Sequence, residues 1–178
     1  HGARPDMDCR ACGPSAHAGG GPGGKLWRGK WVVETGTGPL GIGTWVLKPV
    51  RHVLHVADLD SAEAEELGPA LARVTRAVAL AASEVGSPPS QVYACLWSHA
   101  DRQPGHIHFV VQPVGDELMT RLDAHGPTLQ LRMFESGEAM DPQAMDAAVM
   151  RVRTPLSAFA VERPRAALPA RPGLSRPC

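Results

Sequence analysis

The stretch Gly105-His106-Ile107-His108-Phe109-Val110-Val111-Gln112-Pro113 decides how this chain is read. Its β-branched and aromatic residues predict a strand over 106–114. Side chains on a strand alternate between faces. His106 and His108 therefore share one side, while Ile107, Phe109 and Val111 take the opposite, core-facing side. Two imidazoles side by side, next to a polar loop over 98–105, mark the edge of a pocket. One such histidine would be read as structural; the pair gives a functional reading equal standing.

Upstream of this strand, Gln91 to Trp97 predicts another strand, and Gly86-Ser87-Pro88-Pro89 stops whatever precedes it. What precedes it is the clearest helix of the chain. Asp60 can cap its N-terminus, with Glu63 three residues on to complete a capping box. Leu67, Leu71, Val74, Val78 and Val85 recur mostly three or four apart, on one face. Pro69 should kink this helix or mark its first turn. Further back, 25–34 predicts a strand, 36–43 a turn, and Thr44 to Leu47 a second strand ended by Pro49. Downstream, Asp141-Pro142 predicts a helix start with Met145, Ala148, Val149 and Val152 on its apolar face. Residues 154–178 hold five prolines and four arginines against one acidic residue, and are expected to form a tail.

The expected order is strand, strand, helix, strand, strand, helix. That favours an α+β domain with a meander-like antiparallel sheet and a helix on one face. The organisation expected is a Cys-x-x-Cys segment with a Gly-rich loop over 1–24, a domain over 25–153, and the tail over 154–178. The chain has 178 residues, 43% of them apolar, enough for one packed domain plus tails. With 18 basic and 18 acidic residues the formal charge is zero. Charge therefore supplies no case for a nucleic-acid polymer or an anionic membrane surface as partner. No run approaches the ~20 apolar residues of a spanning helix. No apolar export signal is visible, so the expected location is cytoplasmic and reducing.

Cys9 and Cys12 are separated as two thiolates on one metal ion require. The same spacing serves redox dithiols, but those sit between a strand and a helix, whereas this pair precedes a Gly-rich loop. Metal is the better reading. Zinc needs two more ligands, and His17, His52, His55, Cys95, His99, His106 and His108 are the candidates. The structural alternative is a pair of free thiols in a terminal segment.

Two segments then resemble a known family. Val46-Leu47-Lys48-Pro49-Val50-Arg51-His52-Val53, followed by Leu59-Asp60-Ser61-Ala62-Glu63-Ala64, resembles the strand, P-x-R-H turn and helix of histidine-triad (HIT) proteins. Pro104-Gly105-His106-Ile107-His108-Phe109-Val110-Val111-Gln112-Pro113 resembles their H-h-H-h-H-h-h segment, h being apolar. The Cys-x-x-Cys is similar to that of zinc-bearing members and of the related galactose-1-phosphate uridylyltransferases. The resemblance covers about residues 9–114.

It implies a HIT-like antiparallel sheet with a long helix packed on it, commonly dimerised, and a nucleotide or nucleotide conjugate as the small-molecule partner. It implies His108 as the nucleophile that takes up a nucleotidyl group and passes it to water or another acceptor. It implies a structural Zn²⁺ held by Cys9, Cys12, His52 and His106, which would fix the strand carrying His108. Loop amides at Gln103 and Gly105 are expected to bind phosphate. The third triad position departs from the pattern: it is Val110, which can neither donate a proton nor hydrogen-bond. Gln112, two residues on, is expected to substitute partially, and His99 or Asp101 to supply acid–base chemistry. The function expected is a nucleotidyl hydrolase or transferase. The rivals are a non-catalytic nucleotide-binding protein and a HIT-fold enzyme turned to other chemistry.

Overall fold

A computed structural model of the chain describes residues 9, 12, 25–35, 43–98, 105–138 and 141–158. Five strands, β1 (Lys25–Arg28), β2 (Trp31–Thr35), β3 (Trp45–Pro49), β4 (Gln91–Trp97) and β5 (His108–Val114), form one antiparallel sheet. Among the described residues four α-helices accompany it: α1 (Ser61–Glu84), α2 (Asp116–Leu122), α3 (Gly126–Glu135) and α4 (Pro142–Ala158). The architecture is the α+β arrangement expected. The order in the sheet is β1-β2-β3-β5-β4, so it is not a plain meander. After α1 the chain enters at the edge as β4 and returns as β5 between β4 and β3.

The expected strand over 25–34 is a hairpin instead. Gly29 and Lys30 turn the chain, and Glu66 of α1 accepts the Lys30 and Trp31 amides at 2.9 and 3.3 Å. A Cβ on Gly29 would meet that carboxylate, so a larger residue there would push the Glu66 side chain aside. The capping box at Asp60 and Glu63 forms as expected, and α1 runs unbroken through Pro69 to Glu84. Pro69 therefore lies within the helix rather than marking its first turn. Val85 falls past the helix end and is exposed. Gly86 then takes the left-handed conformation (φ 79°) that lets the chain leave the helix.

The two faces of the sheet have different covers. Trp31, Val33, Trp45, Leu47, Phe109 and Val111 face α1 and α4 and form the main core with Val74, Val78, Val149 and Val152. Val114 on the other face packs with Ala124, Leu129 and Met133 beneath α2 and α3. Neither of these helices is expected from the sequence. Helix α4 continues past the expected tail boundary at 154: Leu156 is fully buried in the main core. Leu156→Ala should cost about 2–5 kcal/mol of unfolding free energy in denaturant titration; a tail residue would cost nothing. The Gly-rich loop over 13–24, most of the turn over 36–43, and residues 159–178 lie outside the described residues.

Candidate functional site

Three segments meet at the sheet end where β3 leaves and β5 enters. Cys9 and Cys12 come from the N-terminal segment, His52 from the turn after β3, and His106 from the approach to β5. One ligand atom from each lies within 4.8 Å of the others. Cys12 Sγ sits 3.2 Å from Nδ1 of His52 and 3.2 Å from Nδ1 of His106. With zinc bonds of about 2.3 Å to sulfur and 2.0–2.1 Å to nitrogen, the S–N edge of a coordination tetrahedron is about 3.5 Å. Two thiolates and two imidazole nitrogens at this spacing fit tetrahedral Zn²⁺ with no position left open, which is a structural site.

The histidine tautomer supports that fit. His106 Nε2 donates to the Pro49 carbonyl at 2.8 Å, so the proton is on Nε2 and the Nδ1 lone pair faces Cys12. Such a donor–carbonyl contact is how proteins orient a ligating imidazole. His106 is buried, and burial pushes its pKa down to about 4, with Lys48, His52 and His108 pushing the same way. It is therefore neutral at pH 7, the form a metal takes. Ile107 N donates to the Val53 carbonyl at 2.9 Å, tying the turn after β3 to the approach to β5. The His52 and His106 rings meet edge to face at 5.3 Å.

Arg51, next to His52, is gripped by Glu63. Its Nε and Nη2 donate to the two carboxylate oxygens at 3.0 and 2.6 Å, and Nη2 also donates to the Asp58 carbonyl at 2.7 Å. Glu63 in turn accepts the Asp60 amide, and its carbonyl accepts Trp31 Nε1 at 2.8 Å. The sequence shows Glu63 only as a capping residue; the structure makes it the clamp on the His52 turn. The hydrogen-bonded guanidinium holds the Glu63 carboxyl below the ordinary glutamate value of 4.5. The stabilisation is thus complete above that value and is lost as pH falls through the lower folded value. Glu63→Gln should cost about 1–3 kcal/mol at pH 7. Melts at pH 7 and pH 3 should show the gap between the two proteins shrinking in acid.

His106 precedes β5 rather than lying in it, which corrects the strand predicted over 106–114. The two histidines consequently do different things instead of sharing a strand face. His106 turns to the cysteines, and His108 opens the strand half-buried, its Nδ1 donating to the His106 carbonyl at 2.8 Å. That bond leaves the lone pair of the neutral ring on Nε2. Val110 and Gln112 follow on the same face, and both are buried. Gln130 of α3 lies over them: its Nε2 donates to the Val110 carbonyl at 2.8 Å, while its Oε1 accepts Trp97 Nε1 at 3.2 Å. Gln112 donates to Thr44 Oγ1 at 2.7 Å. Gln112, expected to stand in partially for a third histidine, is buried, with its Nε2 engaged by Thr44.

Gly105 is described and buried beside His106. His99, Asp101, Gln103 and His17 lie outside the described residues. His55 is exposed, and Cys95 on β4 is half-buried, with burial raising its thiol pKa. Neither belongs to the cluster. A groove of about 820 Å³ does exist, lined by Trp45, Val78, Pro113, Leu118 and Arg151 among others. It is on the α1–α4 face, the wrong side of the sheet for His108, and contains none of the expected site residues. Lys48 and Glu34 were not picked out from the sequence. Their ion pair, 2.7 Å long and more than 90% buried, lies on the His108 face of the sheet. The alternation of charge with apolar residues in Val32-Val33-Glu34 and Val46-Leu47-Lys48 was the available signal.

No protein-family model matches the sequence, and no curated protein does. Solved structures do match the fold. One is a HIT-like protein involved in cell-cycle regulation from Bartonella henselae, with an unknown ligand. It is 11% identical, with a TM-score of 0.51, over 74% of this chain and 84% of that one. Another is a zinc-bound histidine-triad family protein from Mycobacterium smegmatis. It is 16% identical, with a TM-score of 0.50, over 76% of this chain and 85% of that one. This chain has the HIT-like fold, and the resemblance seen in its motifs extends to its architecture.

Proposed function

We propose that this chain is a histidine-triad-type nucleotidyl hydrolase or transferase, stabilised by one structural Zn²⁺ on Cys9, Cys12, His52 and His106, with His108 as its nucleophile. The observation that carries the reading is the His108 Nδ1 bond to the His106 carbonyl. It orients the ring and gives Nε2 the lone pair needed for attack on phosphorus. The metal, when bound, supplies no reacting water or Lewis acid; it holds His106, and His106 holds His108. His108 attacks the α-phosphorus, the leaving oxygen departs with its electron pair, and water or another acceptor then displaces the nucleotidyl group from nitrogen. Gly105, Gln103 and His99 remain the candidates for phosphate contacts and proton transfer.

Incubation with a panel of nucleoside triphosphates and dinucleoside polyphosphates, followed by intact mass, tests this. A nucleotidyl mass on His108, absent from His108→Ala, is the expected result. One observation favours a second reading, nucleotide binding without turnover: the face beyond His108 is closed by Gln130 over Val110. Saturable nucleotide binding with neither adduct nor product would select it.

The partner is a nucleotide-class small molecule rather than a polymer. Among the described residues no helix is long and apolar enough to cross a membrane. Paired thiols serving as ligands fit a reducing, cytoplasmic location. The family resemblance also proposes a homodimer. Sedimentation at micromolar concentration should give twice the 18.9 kDa chain mass; a monomer at every concentration rejects it.

A further inference from the structure

The face of the sheet that carries His108 also carries a buried ion pair that the proposed chemistry has not used. Lys48 Nζ lies 2.7 Å from Glu34 Oε2, and both side chains are more than 90% buried. The β3–β5 register puts Leu47 opposite Phe109 and Val46 opposite Val110. Continued one step beyond its last pair, that register would bring Lys48 beside His108 on the same face of the sheet. Glu34 lies on that face too, opposite Val46 on the neighbouring strand. Its second oxygen, Oε1, is buried with no hydrogen-bond partner among the described residues. A buried acceptor is costly to leave in that condition, and a donor on a ligand is one way to satisfy it.

We propose that Lys48, held by Glu34, is the charge-stabilising residue for the anion at His108, in the place where Val110 leaves the histidine triad without a polar group. This rests on the reading of His108 as nucleophile. Attack by Nε2 on phosphorus concentrates negative charge on the non-bridging oxygens and on the leaving oxygen. An ammonium fixed one strand away, out of water, offsets that charge without giving up its proton. The balance is complete: the N–P bond forms, the P–O bond breaks, and the leaving group takes the electron pair. Lys48 remains a cation throughout. The arrangement selects substrates whose leaving group is itself a stable phosphate anion, and the Glu34 oxygen suits a substrate hydroxyl near that phosphate.

The test follows adduct formation by intact mass for wild type, Lys48→Met and Lys48→Arg, with ATP as substrate. Zinc content and melting temperature are recorded for each. Because Lys48→Met strands a buried carboxylate and can fail to fold, the double variant Lys48→Met with Glu34→Leu is included; apolar replacement of a whole buried pair is usually tolerated. The expected result is a fall of about 10²–10³-fold in adduct rate for the folded double variant, with zinc retained. Lys48→Arg should recover at least a tenth of the wild-type rate. An adduct rate within threefold of wild type in the double variant overturns this inference and leaves the His108 reading standing. Failure of Lys48→Arg to restore any rate while it keeps zinc and stability also overturns it. Absence of an adduct in wild type overturns both, and that outcome is distinguishable from the other two.

Discussion

Protein purified without added metal is expected to contain one Zn²⁺ per chain, and Cys12→Ser is expected to lose it. Cys12 is the choice because its sulfur is the one in contact with Nδ1 of both histidines. Without the ion, three segments distant in sequence lose their common anchor. Two thiols and two imidazoles are then crowded within 4.8 Å. The free energy of structural zinc sites runs to about 10–16 kcal/mol in isolated fingers. A domain with its own core, buried from Trp31 to Leu156, needs only part of that to fold. A loss of about 3–5 kcal/mol should appear, a fall in melting temperature of roughly 6–20 °C for a chain of this size. Elemental analysis and melts of wild type, Cys12→Ser and chelator-treated protein decide it. A metal-free wild type that melts at the same temperature as Cys12→Ser would sink the zinc assignment.

That site was legible because its residue types have few other uses at that spacing. Cys-x-x-Cys carries its chemistry in the letters; among the seven histidines and cysteines left as further ligands, the family resemblance picked out His52 and His106, and the fold brings these four together. The capping box at Asp60 and Glu63 was legible for a similar reason: the interaction is local, so the sequence contains all of it. The failures were non-local. Helices α2 and α3 follow β5 with no long apolar stripe, since each buries little: α3 puts down Leu129, Gln130 and Met133, and α2 has no buried residue. On α3, Gln130 bonds both the Val110 carbonyl and Trp97, the latter a pairing 33 residues apart that periodicity does not reveal. The burial of Gln112 escaped by the same route. Its face was read correctly, but what covers that face was not in the strand's own sequence. The start of β5 shifted from His106 to His108 because His106 is drawn out of the ladder toward the cysteines and Pro49.

His108→Ala should abolish nucleotidyl adduct formation outright, and wild-type turnover should depend steeply on the leaving group. Val110 stands at the position where a third histidine would protonate the departing oxygen or nitrogen, and it is 2% exposed beneath Gln130. General acid help is worth roughly 10²–10⁴-fold. Pyrophosphate or a nucleotide phosphate departs without it, whereas an amine does not. Nucleoside phosphoramidates should therefore turn over at least 10²-fold more slowly than dinucleoside polyphosphates. Val110→His will not repair this by itself, because position 110 is 2% exposed and overpacking a buried site with a larger ring costs about 1–3 kcal/mol. Combined with Gln130→Ala, which clears the space above residue 110, the new histidine should raise phosphoramidate turnover more than polyphosphate turnover. If the wild type instead cleaves phosphoramidates briskly and His99→Ala alone stops it, the proton comes from the loop before His106, and the leaving-group argument fails at Val110. If His108→Ala leaves nucleotide turnover intact, nucleotidyl transfer through this histidine is wrong whatever the fold.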